Sequence, residues 1–191
     1  MTLARDFAQS FDRLIPRIET PRLVLRAPRA SDFDGFAAYL GSDRSRFTGG
    51  PVDRNQAWRA FGHIAGHWVF RGYGVFVIEH RGTGKAIGTS GPWFPEGWPE
   101  PEIAWTLWET GFEGQGLAAE AALAGRGWAY EVLGWTTAIS LILDGNTRSE
   151  ALAQRLGCVR VGGFTHAQFG PSGLWRHPAA DRQGAGMEAY A

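Results

Sequence analysis

The sequence predicts a mixed α/β sheet flanked by helices. Amphipathic helical stretches alternate with β-rich runs, and three of those runs are consecutive. A glycine turn also joins an apolar run directly to an alanine-rich helix. The order reads strand, two helices, a three-strand meander, then helix, strand, helix and closing strands. That makes the first half of the sheet antiparallel and the helix after the glycine turn a crossover.

Arg22 to Arg26 alternates polar and apolar residues and reads as the first strand, introduced by Thr20-Pro21. Ser31 to Leu40 is a helix with Ser31 or Asp32 as N-cap and Phe33, Phe36, Ala37 and Leu40 on one face. Asp53 to Phe70 repeats Trp58, Phe61, Ile64, Ala65 and Trp68 at helical spacing. Tyr73–Glu79 and Lys85–Trp93 form a hairpin about Arg81–Gly84. Three prolines force a loop over Pro95–Pro101, with Trp98 in its middle. The strand Ile103–Trp108 leads through Gly114 and Gly116 into a helix from Leu117 to Val132. Thr136–Leu143 is β-rich, and Asn146–Leu156 is a helix stopped by Gly157. Val159–Phe164 and Leu174–Arg176 close the sheet, and a frayed tail is expected from Ala179 to Ala191.

The chain has 191 residues, enough for one domain with a sizeable core. Its formal net charge is zero, so no global field favours nucleic acid or an anionic membrane. A single cysteine leaves no internal disulfide, no apolar run is long enough to span a bilayer, and no signal-peptide pattern opens the chain. A cytoplasmic protein is the expectation.

A strand that delivers a glycine loop onto a helix N-terminus offers several unpaired N–H groups to one point, backed by the helix dipole. Such a point suits a phosphate or diphosphate. A dinucleotide fingerprint would need a third glycine, and Ala118–Glu120 supplies none. A P-loop would need Lys followed by Ser or Thr, and the chain has Leu117-Ala118.

Glu113-Gly114-Gln115-Gly116-Leu117-Ala118 resembles the coenzyme loop of the GNAT superfamily, the acyl-CoA-dependent N-acyltransferases. Glu113 departs from the Arg or Gln usual at the first position and is expected to face solvent. Further segments resemble the subgroup that holds the bacterial ribosomal-protein N-terminal acetyltransferases. They are Thr20-Pro21-Arg22-Leu23-Val24-Leu25-Arg26, Gly84-Lys85-Ala86-Ile87-Gly88, Glu102-Ile103-Ala104-Trp105, Asn146 to Cys158 and Trp175-Arg176-His177-Pro178. They keep the family's order across residues 20–178.

The resemblance implies a GNAT fold with about seven strands, splayed between the fourth and fifth, which here are Ile103–Trp108 and Thr136–Leu143. It implies acetyl-CoA as cosubstrate, with main-chain groups of Thr106, Leu107 and Trp108 on pantetheine. Amides of Gly114, Gln115, Gly116, Leu117 and Ala118 would take the diphosphate, and Asn146 would bond pantetheine. Arg148 and Arg155 are further candidates for the nucleotide phosphates. The implied reaction is direct acetyl transfer to a primary amine, without metal. Glu102 is the candidate base, Ser149 the candidate acid, and a main-chain N–H near Trp105–Thr106 the oxyanion donor. Trp93, Phe94, Trp98 and Trp105 are candidate walls of the acceptor pocket.

The acceptor is a protein N-terminus or a small amine. A non-catalytic acyl-CoA-binding module, or sensor, of the same fold stays open as the alternative, and a homodimer is common in the subgroup. His63 and His67 lie four residues apart but lack a third ligand for zinc. Cys158 reads as a small buried hydrophobe.

Overall fold

The computed structural model describes residues 3–167 and 169–180, so the expected tail lies, beyond Ala180, outside the described residues. Helix α1 (Leu3–Leu14) precedes strands β1 (Ile18–Glu19) and β2 (Leu23–Arg26). Helices α2 (Phe33–Leu40) and α3 (Arg54–Arg71) follow. The meander is β3 (Phe76–His80), β4 (Ala86–Trp93) and β5 (Glu102–Leu107). Then come α4 (Leu117–Glu131), β6 (Ile139–Leu143), α5 (Thr147–Arg155), β7 (Val159–His166) and β8 (Gly170–Arg176). No described helix is long and apolar enough to cross a membrane.

One sheet runs β1-β2-β3-β4-β5-β6-β8-β7. It has eight strands, the additional one being the two-residue β1. Alternation along β3 sends Val77 to the α2–α3 side, with Phe36, Phe61 and Trp108. It sends Phe76 and Ile78 to the opposite side, with Leu117 and Ala121 of α4. Helix α5 packs beside α4 through Leu152, Ala153 and Leu156. The closing strands are longer than expected, because pairing with β6 and β7 carries β8 through the weak strand formers Pro171, Ser172 and Gly173.

Two features position the site. Helix α4 lies close on the sheet, where a Cβ on Gly125 would come within 2.8 Å of the Gly91 Cα. The second is the seam between β5 and β6. Strands β4 and β5 hold antiparallel register from Gly88–Leu107 to Trp93–Glu102. Strands β5 and β6 are parallel and register only at Glu102 opposite Ile139. Past that rung the main chains part, and side chains replace main-chain bonds. Ser140 donates its hydroxyl to Ile103 O at 2.7 Å, and Leu141 N–H donates to Glu102 Oε1 at 3.1 Å.

The parting is braced from beneath. Because Ser140 donates to Ile103, it accepts from His177 Nε2 at 2.9 Å, while Arg126 donates to His177 Nδ1 at 3.3 Å. Burial first, and Arg126 second, push the His177 pKa down to about 3, so the ring is neutral and its tautomer fixed.

Candidate active site

Gly114 and Gly116 adopt φ of 73° and 77°, the left-handed region that favours glycine. Gly116 is the N-cap of α4, and Glu120 N–H is the first to bond back, to Gly116 O. Among the described residues, the main-chain N–H groups from Gly114 through Ala119 have no partner in the protein. Six donors and a helix dipole therefore converge without an internal acceptor.

Arg22, which the sequence reading did not single out, shapes this loop. Its Nη1 donates to Gln115 O at 2.7 Å, and its Nη2 lies 3.5 Å from where a Cβ on Gly116 would stand. Glu120, 6% exposed, holds Arg22 in place. It accepts from Arg22 Nε at 2.6 Å, Arg22 N at 2.9 Å and the Thr20 hydroxyl at 2.6 Å. These donors and the Arg22 charge outweigh burial and lower the Glu120 pKa. The pattern was present in Thr20-Pro21-Arg22 and in Glu120, but the residues lie 98 positions apart.

Glu113 does not simply face solvent, contrary to expectation. It pairs with Arg44 Nη2 at 2.8 Å and Arg148 Nη1 at 2.7 Å. The carboxylate thus ties the glycine loop to the first turn of α5, across the gap between β5 and β6. Arg44, from the short turn Asp43–Phe47, also donates to Leu107 O at 3.2 Å.

Register decides which main-chain groups face that gap. Trp108 N–H is already bonded to Ile87 O at 2.8 Å, so Trp108 cannot offer its amide to pantetheine as expected. Because bonded pairs alternate in an antiparallel ladder, the Trp108–Ile87 bond makes Thr106–Thr89 the next bonded pair. Main-chain groups of Trp105 and Leu107 then face β6, so of the expected Thr106, Leu107 and Trp108 only Leu107 turns to the gap, and Trp105 joins it.

Inside the gap, a cavity of about 750 Å³ opens between the sheet and helices α2 and α3. Glu102, Trp93, Trp98, Trp105, Asn146 and Ser149 all line it. Glu102 is 6% exposed and accepts from Trp98 Nε1 as well as Leu141 N. Burial outweighs these two bonds and raises its pKa to about 7. Trp105 Nε1 donates to Ser149 Oγ at 3.3 Å, leaving the hydroxyl hydrogen to point elsewhere. Asn146 caps α5, its Oδ1 accepting from Ser149 N at 3.4 Å, and its amide nitrogen has no partner among the described residues.

Other expected residues lie elsewhere. Phe94 does not line the cavity; its ring sits under the Arg71 guanidinium at 5.1 Å, because its N–H is held by His67 Nε2 at 3.0 Å. His67 also donates Nδ1–H to Tyr73 O at 2.7 Å, so both ring nitrogens are engaged by main chain and neither can hold zinc. Cys158 is buried, and burial raises its thiol to about 11. Lining residues that the sequence reading missed come from α2, α3 and the β7–β8 hairpin, namely Phe36, Tyr39, His63 and Phe169. Phe36 was expected on the apolar face of its helix, and no spacing in the sequence marks Tyr39, His63 or Phe169 as lining a cavity.

The chain belongs to the GNAT acetyltransferase family: the model described as Acetyltransferase (GNAT) domain matches residues 22–159. It is similar to an acetyltransferase from Agrobacterium tumefaciens at 36% identity and TM-score 0.78, covering 85% of this chain and 94% of that one. Two solved structures at 15% identity share the fold. A ribosomal-protein alanine acetyltransferase from Vibrio fischeri has TM-score 0.67 and coverage of 87% and 98%. An aminoglycoside acetyltransferase in complex with coenzyme A has TM-score 0.68 and coverage of 82% and 94%.

Proposed function

We propose that this protein transfers an acetyl group from acetyl-CoA to a primary amine held beside Glu102, both substrates being bound together. The observation that carries this reading is the run of unpartnered amides at Gly114–Ala119, adjoining a seam whose inner end holds a carboxylate poised near neutrality. The amides fit a diphosphate, and the unpaired edges of β5 and β6 fit the two amides of a pantetheine arm.

Acetyl-CoA supplies the thioester whose acyl carbon the amine attacks. The chain's own groups handle protons and charge. A primary amine is mostly protonated at neutral pH and cannot attack in that form. Glu102, with a pKa of about 7, is half ionised there and takes that proton directly or through one water. The Trp105 N–H, turned toward the cleft, donates to the acyl oxygen as it gains negative charge. The attacking nitrogen sheds its second proton as the C–S bond breaks, and Ser149 passes a proton to the departing sulfur while recovering that one, its oxygen meanwhile held by the Trp105 indole at 3.3 Å. The Asn146 amide nitrogen supports the pantetheine arm from the α5 side.

The test is release of free thiol from acetyl-CoA across a panel of amines and N-terminal peptides. Amine-dependent release that Glu102→Gln lowers by about a hundredfold or more supports the reading. Coenzyme A binding with equal, amine-independent behaviour in both proteins favours the non-catalytic module instead.

A further inference from the structure

The acetyltransferase reading leaves the acceptor open, and the cavity lining limits it. Aromatic rings of Phe36, Tyr39, Phe47, Trp93, Trp98 and Phe169 line the cavity. Against them the lining offers two carboxylates, Glu96 and Glu102, and one guanidinium, Arg59. Burial lowers the His63 pKa, so that ring is neutral at pH 7. The charged side chains sum to one net negative charge when Glu102 is ionised.

The wall is also roofed. Phe169, just ahead of β8, lies against Gly49, where its Cε1 stands 2.9 Å from the place a Cβ would take. Gly49 has φ of 95°, so both its conformation and its lack of a side chain admit the ring. On its other side Phe169 meets Trp98 edge-on at 6.0 Å, and Trp98 in turn donates to Glu102. A continuous path thus runs Gly49–Phe169–Trp98–Glu102 over the candidate base.

On the acetyltransferase reading above, we propose that the acceptor is a small primary amine with one positive charge and an apolar body of aromatic size. Burying that body against aromatic rings supplies its affinity. Its single ammonium is matched by Glu102. A polyamine or aminoglycoside would bring more positive charge than the one net negative charge of this lining balances, at high desolvation cost. A polypeptide N-terminus would need to lead its following residues out of a cavity where Phe169 lies against Gly49.

The test compares thiol release from acetyl-CoA with phenethylamine, spermidine, kanamycin and an N-terminal hexapeptide, alongside calorimetric binding of coenzyme A. Phenethylamine is expected to exceed the other three in kcat/KM by about tenfold or more. Phe169→Ala is expected to lower kcat/KM for phenethylamine about tenfold, mainly through KM, and to raise that of the hexapeptide. Phe169→Leu, which keeps an apolar roof, should preserve the parent's ranking and guards against loss of fold. Preference for spermidine, kanamycin or the hexapeptide in the parent overturns the acceptor class. So does coenzyme A binding with no turnover of phenethylamine. Absence of coenzyme A binding overturns instead the acetyltransferase reading on which the acceptor class rests.

Discussion

Replacing Glu102 with Gln removes a carboxylate whose burial opposes its own charge. In the folded protein its pKa stands at about 7, against an ordinary 4.5. Between those values the folded state holds a proton that the unfolded chain has released. The stabilisation from this group is therefore complete below about pH 4.5 and is lost as pH rises through 7. At about 1.4 kcal/mol per pH unit the loss totals about 3 kcal/mol, of which roughly 2 to 3 falls between pH 5 and pH 8. Gln cannot titrate, so other ionisable groups cancel when parent and variant are compared. Urea unfolding at pH 5, 6, 7 and 8 should show the stability difference moving toward the variant by that amount. In the parent, kcat/KM should rise about tenfold per pH unit below 7 and then level, a limb the variant lacks. A pH-independent stability difference would refute the reasoning, because Glu102 would then carry an ordinary pKa and no poise as a base.

Glu113→Gln releases Arg44 and Arg148 for the coenzyme phosphates, so calorimetry should show coenzyme A binding about three- to tenfold tighter. Unchanged or weaker binding contradicts the competition. Arg22→Ala removes both the clamp on Gln115 O and a charge beside Gly116, and should weaken coenzyme A binding about tenfold. Unaltered affinity would show that the loop keeps its shape without the brace. Arg26→Met strips the bidentate partner from buried Asp32 and the Nε bond from Glu79. Urea unfolding should show a loss of about 3 to 5 kcal/mol, and a loss below about 1 kcal/mol would contradict it.

Elements with strong periodicity were legible in the sequence. The apolar run Ile103–Trp108, the glycine turn and the alanine-rich helix were placed within a few residues of β5 and α4. Asn146 and Ser149 sit together because one caps the helix that carries the other, a short-range relation that sequence displays. Helix α1 (Leu3–Leu14) is an element that the sequence reading did not include. Strand β8 was cut short at Leu174 because Gly170-Pro171-Ser172-Gly173 has no strand propensity and takes its shape from neighbours on both sides.

Long-range electrostatics were not legible either. Glu113 looked solvent-bound, yet its partners are Arg44 and Arg148, one 69 residues before it and one 35 after. Likewise Trp108 belonged to the expected coenzyme set until the β4–β5 register committed its amide to Ile87. A one-residue difference in parity, invisible in composition, separates a main chain that faces the cleft from one that does not.

The most direct measurement is hydrogen exchange at the backbone amides of residues 114–119 with and without coenzyme A, read beside a calorimetric titration. Heat of binding together with slowed exchange confined to that turn and the β5–β6 seam is the expected result. No heat, or binding that leaves those amides exchanging as before, would mean that the bare helix end does not grip the diphosphate.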